Sequence, residues 1–268
     1  MSDKNVKFIA ADMDGTLLNE HGQLDPEFFE IFPRLEQHGI IFAAASGRQY
    51  YSLLDTFSAI QDRMMFVAEN GTFVMHQGKE LYSCTLDKQD VVEIINVARQ
   101  IDNTHIVLCG KQSAYIETDD PQALAEVQHY YHRCERVADL LAVDDEFVKV
   151  ALCNFNGTEE NVYPSIHAKF GSSQKVVVSA KIWLDVMHAN ASKGAAIKQL
   201  QSRLGFSYEQ TMSFGDYFND VEMLEASYHS YAVENAHEGV KKFARFRAPS
   251  NRESGVLTVL KAYLDEVE

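Results

Sequence analysis

The sequence predicts a doubly wound α/β domain interrupted by an inserted α+β domain. Three observations predict it. Strand-like and helix-like segments alternate at both ends of the 268-residue chain, which calls for a parallel sheet with right-handed crossovers. The alternation gives way to paired strands with helices between them from about Cys84 to Met187. A short apolar run ends in Asp12-Met13-Asp14-Gly15-Thr16, so a buried strand delivers two carboxylates to the edge where open α/β sheets bind ligands.

Taken in order, Val6–Ala11 reads as the first strand. Pro26–His38 reads as a helix, with Asp25 as N-cap and Gly39 as its stop. Ile40–Ala45 is a second strand, Gly47–Ser58 a helix, and Met64–Ala68 a third strand leading into Glu69-Asn70-Gly71. Phe73–Met75 and Lys79–Tyr82 flank a Gln-Gly turn and read as a hairpin. In the insertion, Asp87–Ile101 carries Val91, Ile94, Ile95 and Ala98 at helical spacing. Strands follow at Thr104–Cys109 and Ala114–Glu117, then a helix at Pro121–His132. A strand at Phe147–Asn154, a helix at Glu159–Phe170 and strands at Val176–Ser179 and Ile182–Met187 complete the insertion. Trp183, the lone tryptophan, is expected to pack inside it. The alternation returns with a helix at Ser192–Leu204 stopped by Gly205, a strand at Thr211–Phe214 and a helix at Phe218–Ala226. A strand at Ser230–Val233, a helix at His237–Phe243, a strand at Arg245–Ala248 and a helix at Glu253–Val267 close the chain.

Composition narrows the function. The chain is 46% hydrophobic and 24% charged, ordinary for a globular protein. A net charge of −15 argues against nucleic acid as partner and means that a phosphate substrate is drawn by local positive groups. No segment has the length of a membrane span, and the early stop at Asp12 leads to the expectation of no signal peptide. Cys84, Cys109, Cys134 and Cys153 show no Cys-x-x-Cys pairing, which fits reduced thiols and a cytoplasmic setting.

The chemistry concentrates in four places. Asp12 and Asp14 can divide nucleophilic and proton-transfer work, and their shared charge calls for a hard cation. A calcium loop is excluded, because its sixth and twelfth positions hold Leu17 and Gln23 instead of Gly and Glu. Ser46-Gly47, just past the second strand at a predicted helix start, reads as a phosphate site, an N-cap, or both. Lys193 falls in the first turn of a helix, where it opposes the macrodipole; it reads as a lysine that steadies a phosphate or an aspartate, or as a solvated surface lysine. Gly215-Asp216 ends another strand in an acid; Asp216 reads as completing a cation site with Asp12, braced by Asn219 and Asp220, or as a helix N-cap in an acidic protein.

In this order and strand context, these residues resemble the haloacid dehalogenase superfamily of phosphohydrolases. Asp12–Thr16 matches its first motif, Ser46 the second, Lys193 the third, and Gly215-Asp216 through Asn219-Asp220 the fourth. Glu69-Asn70-Gly71, Asn235-Ala236-His237-Glu238 and Ser250–Val256 resemble its Cof-type, IIB branch. The resemblance implies a Rossmann-like core over residues 1–83 and 188–268, with residues 84–187 as a type C2 (C2B) cap. It also implies that Asp12 attacks phosphorus to form an aspartyl phosphate and that Asp14 acts as acid and then base. Mg2+ is then held by Asp12, the Asp14 backbone carbonyl and Asp216. Ser46, Gly47, Lys193 and Asn219 bind the phosphate, with Asp220 and Asn70 behind them. The implied activity is a Mg2+-dependent phosphatase of small phosphorylated metabolites such as sugar phosphates or phosphorylated cofactors. A phosphotransferase or phosphomutase on the same scaffold is the alternative. A non-catalytic binding protein fits less well, since Asp12, Asp14, Lys193 and Asp216 are all intact. Tyr217 and Phe218, where small or acidic residues are usual, and Glu234, where a glycine is common, depart from the branch pattern. Oligomeric state is left open.

Overall fold

The computed structural model describes residues 5–268. The chain begins with β1 (Phe8–Asp12), α1 (Phe28–Gln37), β2 (Ile41–Ala45), α2 (Tyr50–Thr56), β3 (Met65–Ala68), β4 (Phe73–His76) and β5 (Lys79–Ser83). It continues through α3 (Lys88–Ala98), β6 (His105–Gly110), β7 (Ala114–Ile116), α4 (Pro121–Tyr130), β8 (Cys134–Arg136), β9 (Phe147–Cys153), α5 (Thr158–Asn161), α6 (Tyr163–Phe170), β10 (Gln174–Ala180) and β11 (Trp183–His188). It ends with α7 (Lys193–Leu204), β12 (Thr211–Gly215), α8 (Val221–Glu225), β13 (His229–Val233), α9 (Glu238–Lys241), β14 (Phe246–Ala248) and α10 (Gly255–Val267). Two compact units result. One holds the chain up to Gly47 with residues 53–82 and 192–268; the other holds residues 48–52 and 83–191.

The first unit is the Rossmann-like core. Its eight-stranded sheet has the order β14-β13-β12-β1-β2-β3-β4-β5 and is parallel from β14 to β3. The β4–β5 hairpin extends one edge, with β4 antiparallel to β3. Central strands read as unbroken apolar runs because both faces are covered. On one face Phe8, Ala10, Ala43, Ala45, Met65 and Val67 pack with Ile197 and Leu200 of α7. On the other Phe42 and Phe66 meet an aromatic group: Phe28 lies 4.9 Å from Phe42 and 5.6 Å from Phe57, centroid to centroid. Each such buried ring contributes about 1.5–3 kcal/mol of burial free energy. Strand order reverses at β1, since β2 lies on one side and β12 on the other. The C-terminal ends of β1 and β12 therefore frame the switch-point crevice.

The second unit is an α+β cap. Its six strands have the order β10-β11-β9-β6-β7-β8, antiparallel except for β7 with β8. Val91, Ile94, Ile95 and Ala98 of α3 join Ile166 and Phe170 of α6 against Ile106, Leu108, Val150, Leu152, Leu184 and Val186. The alternate residues of the same strands include Lys149 and Asp185, nearly sealed from solvent, with Nζ 3.6 Å from Oδ2. Trp183 is buried here, its indole N–H donating to Glu126 at 3.0 Å. Residues 48–52 join this unit through side chains. Gln49 exchanges hydrogen bonds with the backbone of Arg133 at 2.8 and 3.1 Å, and Ser52 donates to Tyr130 O at 2.8 Å.

Four expectations are corrected. The helix expected from Gly47 starts at Tyr50, because Ser46 N still extends the sheet ladder to Val67 O and Gln49 is tied to Arg133. The helix expected over 159–170 breaks at Val162 (φ −119°), since Pro164 has no N–H to continue the ladder. The helix expected over 218–226 opens with a tight 3-10 turn, Phe218–Asp220, before α8. β8 was unanticipated; its three residues, Cys-Glu-Arg, are too short and polar to show a strand period. Asp25 caps the turn that leads into α1, accepting from Glu27 N at 3.0 Å. Among the described residues the four cysteines form no disulfide, and no helix is long and apolar enough to cross a membrane.

Candidate active site

β1 ends at Asp12, which is 6% exposed, and the chain then turns sharply through Met13–Leu17. Gly15 makes the turn possible. Its φ is +80°, and a Cβ there would collide with the Asp216 carboxylate. Thr16 Oγ1 donates to Asp216 Oδ1 at 3.4 Å, so the β1 turn and the end of β12 are joined directly.

Lys193 is the first residue of α7 and is fully buried. Its Nζ donates to Asp12 Oδ1 at 2.5 Å and to Asp220 Oδ1 at 2.7 Å. The helix start that aims it is fixed from two sides. Ser192 caps it, accepting from Ala195 N at 3.0 Å and donating to the Glu222 carboxylate. Gly71 (φ +88°) lies so close that a Cβ would strike the Ser192 carbonyl. Glu69 and Asn70 also have positive φ, 49° and 57°, so three consecutive residues hold unusual backbone here.

Asp12, Asp216 and Asp220 place ligand oxygens within 4.8 Å of one another. Asp220 is already engaged. Its Oδ1 accepts from Lys193, and its Oδ2 accepts from the backbone N–H of Asp216 at 2.9 Å and of Tyr217 at 3.2 Å. Asp12 and Asp216 are thus the acids with capacity left for a cation. Burial, then the Asp220 charge, push Asp12 well above the usual carboxylate range, against the pull of Lys193. The same two causes push Asp216 up to about 6. For Lys193 burial works against the charge, but Asp12 and Asp220 outweigh it and raise the group above its ordinary value. Two compressed carboxylates with hard oxygen donors are what a small divalent cation relieves, so the residues fit one. The expectation of Asp14 among the acids is refined: its carboxyl is exposed and stands outside this cluster, while Asp220 stands inside it.

The remaining expected residues form a second group. Ser46 is buried at the end of β2, and Asn70 N donates to its carbonyl at 2.9 Å. Gly47 faces the Asn70 amide. Asn219 Nδ2 donates to Asn70 Oδ1 at 3.2 Å, so Asn70 links the β2 end to the turn after β12. Because α2 starts later than expected, Ser46 owes its position to β2 and Asn70 and not to a helix cap. Two supports escaped the residue-level reading. Asn235 Nδ2 donates to Gly15 O at 2.7 Å, and Asn251 Nδ2 donates to Leu18 O at 2.9 Å. Asn235 Oδ1 accepts from Asn251 N at 2.9 Å. Only their place in the branch-like segments signalled them.

A buried acid paired with a buried lysine at the switch point of a doubly wound parallel sheet is the site of a hydrolase of mixed α/β fold. The family profile of haloacid dehalogenase-like hydrolases matches residues 9–260, and the chain belongs to that family. A relative from Escherichia coli K12, the 5-amino-6-(5-phospho-D-ribitylamino)uracil phosphatase YbjI, is 33% identical over 97% of each chain. A solved structure from Streptococcus mutans UA159 is 30% identical, with a TM-score of 0.86 over 97% of this chain and 100% of that one. A haloacid dehalogenase subclass IIB sugar phosphatase shares the fold, with a TM-score of 0.79 at 20% identity over 96% of this chain and 99% of that one. The protein is a phosphatase-type hydrolase with a IIB-like cap.

Proposed function

We propose that the protein is a Mg2+-dependent phosphatase of small phosphorylated metabolites that works through an aspartyl phosphate on Asp12. The observation that carries this reading is the buried Asp12 carboxylate, 2.5 Å from Lys193 and grouped with Asp216. An Asp12 oxygen attacks phosphorus, the bond from phosphorus to the ester oxygen breaks, and Asp14 gives that oxygen its proton. Asp14, now ionised, takes a proton from water; the water oxygen attacks the acyl phosphate, inorganic phosphate leaves, and both aspartates return to their starting states. Asp12, Asp216 and the Asp14 backbone carbonyl would hold Mg2+, which when bound supplies positive charge against the gathered anions. Lys193, Ser46, Gly47 and Asn219 orient the phosphoryl oxygens, with Asp220 and Asn70 holding those groups in place.

One relative is named for 5-amino-6-(5-phospho-D-ribitylamino)uracil, so a phosphate on a polyol chain bearing a heterocycle heads the substrates to test, followed by sugar phosphates. The test is phosphate release with Mg2+, with chelator, and in Asp12→Asn. The reading requires turnover that stops with chelator and a phosphoenzyme absent from Asp12→Asn. Full activity in Asp12→Asn, or after exhaustive metal removal, sinks it. Capture of the phosphoryl group by an added alcohol in preference to water would make the protein a phosphotransferase instead.

A further inference from the structure

Most of the molecule's large apolar side chains are buried, yet two aromatic residues stand open directly after Asp216. Tyr217 is 56% exposed and Phe218 51% exposed. They are adjacent members of a three-ring group: Tyr217 and Phe218 lie 5.3 Å apart, and His237 lies 5.9 Å from the first and 4.7 Å from the second. The backbone that carries the group is tied to the acidic turn. His237 N donates to Asp216 O at 2.9 Å, and Asp220 accepts from Tyr217 N at 3.2 Å. His237 Nδ1 accepts from Gly239 N at 3.0 Å, which leaves Nε2–H as the ring's outward donor.

Exposed apolar groups that touch one another, unlike ones scattered singly, mark binding surfaces. Tyr217 directly follows Asp216 of the acidic cluster, and neither ring is needed to hold the turn, which the backbone bonds to Asp220 already fix. A phosphate ester seated with its phosphorus at Asp12 must send its leaving group away from the carboxylates, and the open rings adjoin them. We propose that Tyr217, Phe218 and His237 form an aromatic platform that selects esters whose leaving group carries a flat heterocycle. The Phe218 ring stacks on its face, Tyr217, inclined 77° to Phe218, meets its edge, and His237 Nε2–H meets a ring carbonyl. The platform rests on the phosphatase reading of the adjoining site.

FMN and D-ribitol 5-phosphate test it, since they carry the same ribityl phosphate with and without a fused heterocycle. kcat/KM is measured for both with the wild type, Tyr217→Ala/Phe218→Ala and Phe218→Trp. The double variant should lose about five- to hundredfold for FMN, mainly through KM, from the usual strength of base–aromatic stacking. D-ribitol 5-phosphate should stay near the wild-type value, and Phe218→Trp should keep FMN turnover. Equal loss for both esters would show a packing role and overturn the platform, as would no loss for either. A shift to smaller species in sedimentation with FMN preference intact would assign the rings to a contact between copies. Release from sugar phosphates but from neither of these esters overturns the platform, whereas release from no phosphate ester with Mg2+ present sinks the phosphatase reading. The platform is then decided by flavin fluorescence alone: saturable quenching lost in the double variant upholds it, and quenching that persists rejects it.

Discussion

Lys193 shows how much a single side chain carries here. Its ammonium is sealed from water between Asp12 and Asp220 and opposes the dipole of its own helix. Replacing it with methionine keeps the volume and removes the charge, leaving two buried carboxylates unpaired. Lys193→Met should lose about 3–5 kcal/mol of unfolding free energy in the absence of metal, read by urea denaturation, besides its turnover. The acids and this lysine were legible in the sequence because each ends or begins an element at a spacing that only chemistry explains. Asn235 and Asn251 were not, because an amide's value depends on what it meets. Their partners, Gly15 and Leu18, lie more than two hundred positions away in the chain. Asn235→Ala should cost about 1–2 kcal/mol of stability. Because it loosens the turn that carries Asp14, it should also lower kcat by about tenfold or more with the fold retained. Circular dichroism and steady-state kinetics on the same preparation separate the two effects.

Elements with a clean hydrophobic period were legible, and those governed by side-chain ties were not. α3 shows its buried face in the sequence at Val91, Ile94, Ile95 and Ala98. The start of α2 is hidden, because Gln49 bonds a backbone that arrives more than eighty residues later. The C-terminal end of α3 offers a pH test. Arg99 donates through Nε to Glu117 at 2.9 Å and through Nη2 at 2.6 Å, and also reaches Asp139 at 2.7 Å. Those Arg99 hydrogen bonds hold Glu117 below the usual carboxylate range despite partial burial. A carboxyl whose folded pKa is depressed stabilises the fold fully above its unfolded value of about 4.3 and ceases to do so as pH falls through the folded value. Arg99→Ala should therefore be less stable by about 1 kcal/mol at pH 7, allowing for solvent screening. The gap from wild type should narrow as pH falls below about 4.3. Denaturation curves at several pH values check it, and a gap that widens in acid contradicts it.

At the scale of the whole molecule, the acidic site and the net charge of −15 act in the same direction: the folded chain carries repulsion that Lys193 offsets in part and that a bound cation would offset further. Mg2+ that binds only the folded arrangement should raise the melting temperature, by an amount equivalent to about 2.7 kcal/mol at a hundred times its dissociation constant. Asp216→Asn should melt higher than the wild type in chelator, because one of the crowded carboxylates is gone, and should gain little from Mg2+. Thermal melts of both proteins with and without the ion decide this, and a wild type indifferent to Mg2+ would contradict it.

The reversal of strand order at β1 also sets a schedule. Phe8 pairs with Thr211, so the middle of the core sheet is closed by a strand made long after its neighbour. Synthesis at ~5–20 residues per second leaves one edge of β1 unpaired on the order of ten seconds while the inserted stretch emerges. That edge is the apolar run from Phe8 to Ala11, a hazard for association between nascent chains. The cap has no such wait, since all six of its strands lie between His105 and His188 and can pair before the core is finished. Lys193 and Asp216 are among the late arrivals. A chain halted anywhere before them holds Asp12 and Asp14 without Lys193, so the capacity for catalysis appears only when β12 has closed against β1.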